Sequence, residues 1–170
     1  MADVLPDLLA PGLQVVFCGS AAGRRSAEAG AYYAGPGNKF WPTLATIGLT
    51  PRVLKPSEFA QVLEYGIGLT DLAKDRSGAD SQIGQAAYDP LRLKSTLERC
   101  RPQALVFNGK RAGQLFIGEL VDYGLQPLGY DGTAVFVLPS TSGAAQRFWD
   151  EAPWWDLANW LRIRSPDRWN

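Results

Sequence analysis

The stretch from Val15 to Trp41 constrains the chain more than any other: V-V-F-C-G-S-A-A-G-R-R-S-A-E-A-G-A-Y-Y-A-G-P-G-N-K-F-W. Val15, Val16 and Phe17 predict a short buried strand, which we extend back to Leu13. It runs straight into Gly19-Ser20-Ala21-Ala22-Gly23, which is almost devoid of side chains. A strand that ends in small residues lets a ligand approach backbone N–H groups closely. Arg24 and Arg25 follow, then the pair Tyr32-Tyr33 and the turn Gly35-Pro36-Gly37-Asn38. Adjacent arginines beside an aromatic suit an anionic polymer and a planar base. A plain tight turn is the competing reading of the glycines.

The same logic recurs along the chain. Lys39 to Ile47 reads as a helix with Phe40, Leu44 and Ile47 on one face, broken by Thr50-Pro51. A second helix begins after Lys55-Pro56 with Phe59, Val62 and Leu63 inward. Gly66 to Leu69 reads as a strand leading into a functional loop at Thr70-Asp71. Residues 74–87 are polar and aperiodic, which predicts a mobile loop. Asp89-Pro90 has the chemistry of a helix start, and Leu93, Leu97 and Cys100 continue it until Pro102. Ala104 to Phe107 is a buried strand, and Asn108-Gly109 opens a helix through Phe116. Ala134 to Leu138 is another strand, and Trp154, Leu157, Ala158 and Leu161 mark a last amphipathic helix. Residues 1–12, with two prolines, are expected to lie over the surface. Strands alternating with helices imply an α/β fold: a three-layer α/β/α sandwich with a mainly parallel central sheet. Such sheets bind ligands at the carboxyl ends of their strands.

Composition removes several chemistries. The chain has 170 residues, 46% of them hydrophobic, enough for a sizeable core. Histidine is absent, which excludes Ser-His-Asp and Cys-His catalysis and histidine metal sites. Cys18 and Cys100 form no C-x-x-C pair, so no zinc or iron–sulfur site is expected. Two buried free thiols and the lack of a leader-like N-terminus or membrane-length apolar run suggest a cytoplasmic protein. Seventeen basic and seventeen acidic residues cancel, so nucleic acid would be held by a local groove rather than by bulk charge. Neither a dinucleotide fingerprint nor a phosphate-binding P-loop is present.

Five motifs resemble, in order, those of the mismatch-specific uracil/thymine-DNA glycosylase family within the uracil-DNA glycosylase superfamily. They are Gly19-Ser20-Ala21-Ala22-Gly23 with Tyr33; Pro36-Gly37-Asn38-Lys39-Phe40-Trp41; Gly66-Ile67-Gly68-Leu69-Thr70-Asp71-Leu72; Arg101-Pro102-Gln103-Ala104-Leu105 with Asn108-Gly109-Lys110; and Leu138-Pro139-Ser140-Thr141-Ser142-Gly143. The likeness spans residues 13–162. It implies one glycosylase-like domain over residues 1–170 that flips a base out of DNA and hydrolyses its N-glycosidic bond, acting in base excision repair. The expected substrate is double-stranded DNA containing uracil, including G:U pairs, or a mismatch, with single-stranded DNA as a second form. The resemblance implies a monomer without metal, cofactor or membrane partner. A hypoxanthine-preferring glycosylase and a non-catalytic damaged-base binder are the alternatives.

The resemblance also distributes roles. Gly19, Ser20, Ala21, Ala22, Gly23, Tyr33 and Asn38 would surround the base, with Tyr33 stacking on it. Asn38 has a second reading as a cap on the helix that follows. Arg24, Arg25, Lys110, Ser140, Ser142, Gly143, Gln146 and Arg147 would meet DNA. Because Ala144 and Ala145 are small, Gln146 or Arg147 would fill the gap left by the flipped nucleotide. Ala21 stands where the family carries its catalytic Asn. Glycosidic cleavage needs an anion near the sugar or a base for water, together with donors for the leaving ring. Backbone N–H groups of residues 20–23 would be those donors. Asp71 is the first candidate for the carboxylate, with Asp75 and Asp80 as alternatives.

Overall fold

In a computed structural model that describes residues 2–169, five strands form one sheet in the order β2-β1-β3-β5-β4. The strands are β1 Val15–Ala22, β2 Ile67–Ser77, β3 Ala104–Asn108, β4 Gly124–Leu125 and β5 Ala134–Leu138. β1 is parallel to β2 and β3, β3 is parallel to β5, and only the two-residue β4 runs antiparallel. The helices are α1 Arg24–Ala29, α2 Phe40–Thr46, α3 Pro90–Cys100, α4 Lys110–Ile117, α5 Ala152–Arg164 and α6 Pro166–Trp169. This is the expected α/β/α sandwich around a mostly parallel sheet.

β1 explains the layering. Val15 and Phe17 pack into one core with Phe40, Leu44, Trp154, Leu157 and Leu161. Val16 and Cys18 pack into the other with Leu93, Leu97, Ala112 and Phe116. A strand buried on both faces carries no polar alternation, which is why Val15–Cys18 reads as an unbroken apolar run. α3 begins as expected, with the Asp89 side chain accepting from Arg92 N at 3.0 Å and Pro90 in the first turn.

Several expectations need correction. β2 does not stop at Leu69. It continues through Ser77, so Asp71 lies within a strand and not in a loop beyond it. Residues 74–77 of the expected mobile loop belong to that strand, and the remainder contains two short 3-10 turns, Asp80–Gln82 and Gln85–Ala87. The helix after Lys55 is 3-10, Pro56–Tyr65, and only Val62 of its three inward candidates is fully buried. Cys100 is half-buried, whereas Cys18 is fully buried; both are free.

The N-terminal segment is also more than a surface strand of chain. Leu8 exchanges backbone hydrogen bonds with Leu69 at 2.9 Å each way, Val4 N donates to Lys74 O, and Leu5 is buried. The segment therefore straps the outer edge of β2, which would otherwise be a bare sheet edge. Gly68 permits this close approach, because a Cβ there would lie 2.7 Å from Leu8 O. Gly68→Ala should displace the strap and destabilise the fold by about 1–3 kcal/mol, as overpacking does. Urea denaturation of the two proteins measures the difference, and equal midpoints would refute a tight strap.

Candidate active site

β1 stays paired with β2 through Ala22, but it pairs with β3 only as far as Cys18. Past Cys18 the edge of β1 that faces β3 is therefore unpaired in the sheet. Chain connections diverge here too, because β1 leads to β2 on one side while β3 lies on the other. A parallel sheet opens a ligand crevice at such a point. The opening is a cleft of about 780 Å³ at the carboxyl ends of the strands.

Most of the expected site residues line it. Gly19 to Arg25, Tyr33, Asn38, Asp71, Asp80, Lys110, Ser140, Ser142 and Gly143 all do so. Three do not. Asp75 points elsewhere from the far end of β2, Gln146 lies by Gly37, and the Arg147 guanidinium sits 4.7 Å above the Phe148 ring. The side chain that does reach the rim from this segment is Phe148, which is 57% exposed. This exposed ring lies beside the cleft and outside the two cores. The order of residues gave no reason to choose it over the polar pair before it.

Asp71 lies on the cleft floor opposite Gly19, its partner in the strand register. A methyl group on Gly19 would sit 2.6 Å from Asp71 Oδ1 and 3.8 Å from the Tyr33 hydroxyl. The glycine thus opens the space in which these two groups meet. Asp71 is only 4% exposed. Burial pushes its carboxyl up to about 7, although Lys74, Arg92 and the Gly19 N–H favour the anion. Asp7 adds to the upward shift. The same burial, reinforced by Asp71, pushes the Cys18 thiol and the Tyr33 hydroxyl well above their ordinary values.

Tyr33 is half-buried. It is also less isolated than its small sequence neighbours imply: its ring stacks on Phe40 at 3.9 Å between centroids. Phe40 in turn meets Phe17 and Trp154 edge-on. Tyr33 holds a left-handed backbone, φ 53°, uncommon for a bulky residue, and its buried hydroxyl is turned toward the Asn108 side chain without a well-formed hydrogen bond. A strained backbone of this kind clusters at ligand sites.

Other walls are tied by hydrogen bonds. Asn38 lies one residue before the N-cap Lys39 of α2, and its Oδ1 accepts from Phe40 N at 3.0 Å, while the residue lines the cleft. Asn108 joins two loops, donating to Thr141 Oγ1 at 2.9 Å and accepting from Thr141 N at 3.0 Å. Ser20 Oγ donates to Asp80 Oδ1 at 2.6 Å, closing the cleft wall beyond β1. The expected loop of free donors at residues 20–23 is therefore corrected: Ser20 to Ala22 are strand residues, bonded to β2 on one side. On the outer rim, Lys110 Nζ lies 4.5 Å above the Tyr123 ring, and Arg24 pairs loosely with Glu28. Among the described residues, no group of three His, Cys, Asp or Glu side chains is placed to hold a metal ion. No helix among them is long and apolar enough to cross a membrane.

The carboxyl-end crevice of this split parallel sheet is a ligand site that holds a carboxylate and an aromatic. The chain matches the uracil DNA glycosylase superfamily over residues 6–162 and belongs to it. Members of that superfamily are DNA glycosylases. It is also similar to a solution NMR structure of a candidate uracil DNA glycosylase from Methanosarcina acetivorans. The two are 25% identical, with a TM-score of 0.68 over 93% of this chain and 96% of that one. The superfamily is thus established, and the mismatch-specific branch of it is a narrower statement.

The buried carboxyl has a thermodynamic consequence. Its folded-state value, about 7, lies above the ordinary carboxylate value of about 3.9. The folded protein therefore holds the proton more tightly, and stability from this group is full below about pH 4 and lost as pH rises toward 7. Asp71→Asn removes the charge and keeps the shape. It should be more stable than wild type at pH 8, by about 2–4 kcal/mol, with the gap closing toward pH 4. Guanidinium unfolding at both pH values tests this; a gap independent of pH would contradict it.

Proposed function

We propose that the protein excises uracil from DNA, including from G:U pairs, by hydrolysing the N-glycosidic bond. The observation that carries this reading is Asp71, a buried carboxylate on the floor of the cleft beside Gly19 and the Tyr33 hydroxyl. A flipped nucleotide would enter the cleft with its base toward Tyr33 and its sugar near Asp71. Bond rupture leaves positive charge on the sugar and negative charge on the departing base. An anionic Asp71 stabilises the first and can accept the proton of the attacking water. Its elevated value makes it a stronger base than an ordinary aspartate, and it stands in for the Asn that Ala21 replaces. The open edge of β1 and the cleft's side chains supply donors for the leaving ring. Arg24, Arg25, Lys110 and the segment from Ser140 to Gly143 line the approach for phosphates. Phe148 takes the role first given to Gln146 or Arg147, because it is the bulky exposed side chain of this segment that lines the cleft.

Single-turnover assays on uracil duplexes, read by alkaline strand cleavage at abasic sites, test the reading. Base release is expected without added metal and should fall steeply with salt. Asp71→Asn should lower the rate by about 10²-fold or more, with DNA binding retained. Asp75→Asn and Asp80→Asn should be milder. The wild-type rate should rise as pH increases through about 7, as Asp71 ionises. No release from any uracil strand at protein excess would overturn the proposal. Release confined to a hypoxanthine duplex would assign the other substrate, and a gel shift without abasic sites would indicate a binder.

Two aromatic variants separate stacking from strand filling. Tyr33→Ala should lose about 1–3 kcal/mol on single- and double-stranded substrates alike, whereas Tyr33→Phe stays near wild type. Phe148→Ala should lose activity chiefly on duplex, where unstacking must be compensated. Equal losses for Phe148→Ala on both forms would remove it from that role.

A further inference from the structure

Behind Asp71 lies a charged cluster that the glycosylase reading does not use. Asp7, carried in by the N-terminal strap, accepts from three side chains at once. Its Oδ1 lies 2.8 Å from Lys74 Nζ and 2.7 Å from Thr70 Oγ1, and its Oδ2 lies 2.9 Å from Arg92 NH1. Lys74 is 8% exposed and also donates to the Tyr32 hydroxyl at 3.1 Å, which donates on to Pro6 O at 2.9 Å. Arg92 donates to the backbone carbonyl of Asp71 at 2.7 Å, and so holds the main chain of that residue rather than its carboxylate. No ion pair among the described residues joins either cation to the Asp71 carboxylate.

Lys74, three positions along β2 from Asp71, is the charge that most favours the Asp71 anion, and a buried charge left alone is costly. Here the strap supplies a competing anion. We infer that Asp7 is a positioning residue for the cleft: by holding Lys74 and Arg92, it leaves Asp71 facing the cleft as a carboxylate without an ion-pair partner. This deepens the proposed function and rests on it for its catalytic meaning, though the arrangement of charges does not. The strap's backbone bonds at Val4 and Leu8 fix Asp7 between them, so the device depends on Gly68 admitting the strap.

The groups that face Asp71 are few. Cys18 comes from β1, Tyr32 and Tyr33 from the segment after α1, Lys74 from β2 itself, Arg92 from α3 and Asp7 from the strap. Arg24, Arg25, Lys110 and Arg111 line the outer cleft. Of these, Asp7 acts to keep the proton on Asp71, and Lys74 acts most strongly to remove it. The two substitutions Asp7→Asn and Lys74→Met therefore push in opposite directions.

Carbon-detected NMR of the Asp71 carboxyl in the full-length protein reads this directly, whether or not Asp71 proves catalytic. Asp7→Asn should lower its titration midpoint by about one pH unit, and Lys74→Met should raise it by a similar amount, as expected for charges this close. The acid limb of the single-turnover pH profile should move with each midpoint, while KM stays put. A purely structural role for the cluster predicts something else: both variants loosen the strap, admit water and lower the midpoint together. Same-direction shifts, or no shift in either variant, overturn the inference. Should Asp7→Asn fail to fold, Asp7→Ser, which also removes the carboxylate, takes its place, and the same downward shift is expected. An inactive Asp71→Asn tests the catalytic reading separately; if that variant remains active while the midpoints still diverge, Asp7 positions a carboxylate that is not catalytic.

Discussion

The backbone of β1 ties β2 and β3 together from Val15 to Cys18, and beyond Cys18 it ties only β2. The rest of the site depends on this parting. Up to Cys18, both faces of the strand are buried in aliphatic and aromatic side chains, which fixes the sheet's position and register. After it, small residues leave a gap along an unpaired edge, and Asn108, bonded to Thr141, forms the opposite bank. The cleft is a consequence of sheet geometry and needs no separate lid.

A carboxylate at the base of such a gap is costly. The fold tolerates Asp71 because Gly19 gives it room and an N–H, and because Lys74 and Arg92, although paired with Asp7, lie near enough to favour the anion. A buried, shifted carboxyl in a cleft is a candidate functional group. The left-handed backbone of Tyr33 adds to the same pattern. These local penalties gather around one floor of the cleft, against a well-packed aromatic stack of Tyr33, Phe40 and Phe17 that keeps the geometry rigid.

Much of this was legible in the residues. β1, β3, β5 and α3 to α5 follow from apolar runs, helical spacing and the Asp89-Pro90 start, because those signals are local. The far half of β2 was not legible: Asp71-Leu72-Ala73-Lys74-Asp75-Arg76 has the polarity of a loop. It is a strand because β1 bonds one edge, and because the strap bonds the other and neutralises Lys74. Likewise, Tyr33 looked isolated among glycines and alanines, whereas Phe40, seven positions on, folds back beneath it. Phe148 was hidden because nothing in the order of residues distinguishes an exposed ring from a buried one.

The sequence by itself determined the layered fold, the strand ends at which a ligand would sit, the superfamily and most of the residues around the cleft. The fold and strand ends rest on short-range patterns of apolarity, glycine and capping that act within a few residues, whereas the superfamily and the cleft residues rest on the resemblance carried by five motifs in order. Only the tertiary structure decided that Asp71 is buried and shifted, that Asp7 rather than Asp71 holds Lys74 and Arg92, and that Phe148 rather than its neighbours stands at the rim. Each of these turns on groups many residues apart brought within a few ångströms, where burial and Coulomb interaction, both functions of distance and not of order along the chain, set the chemistry.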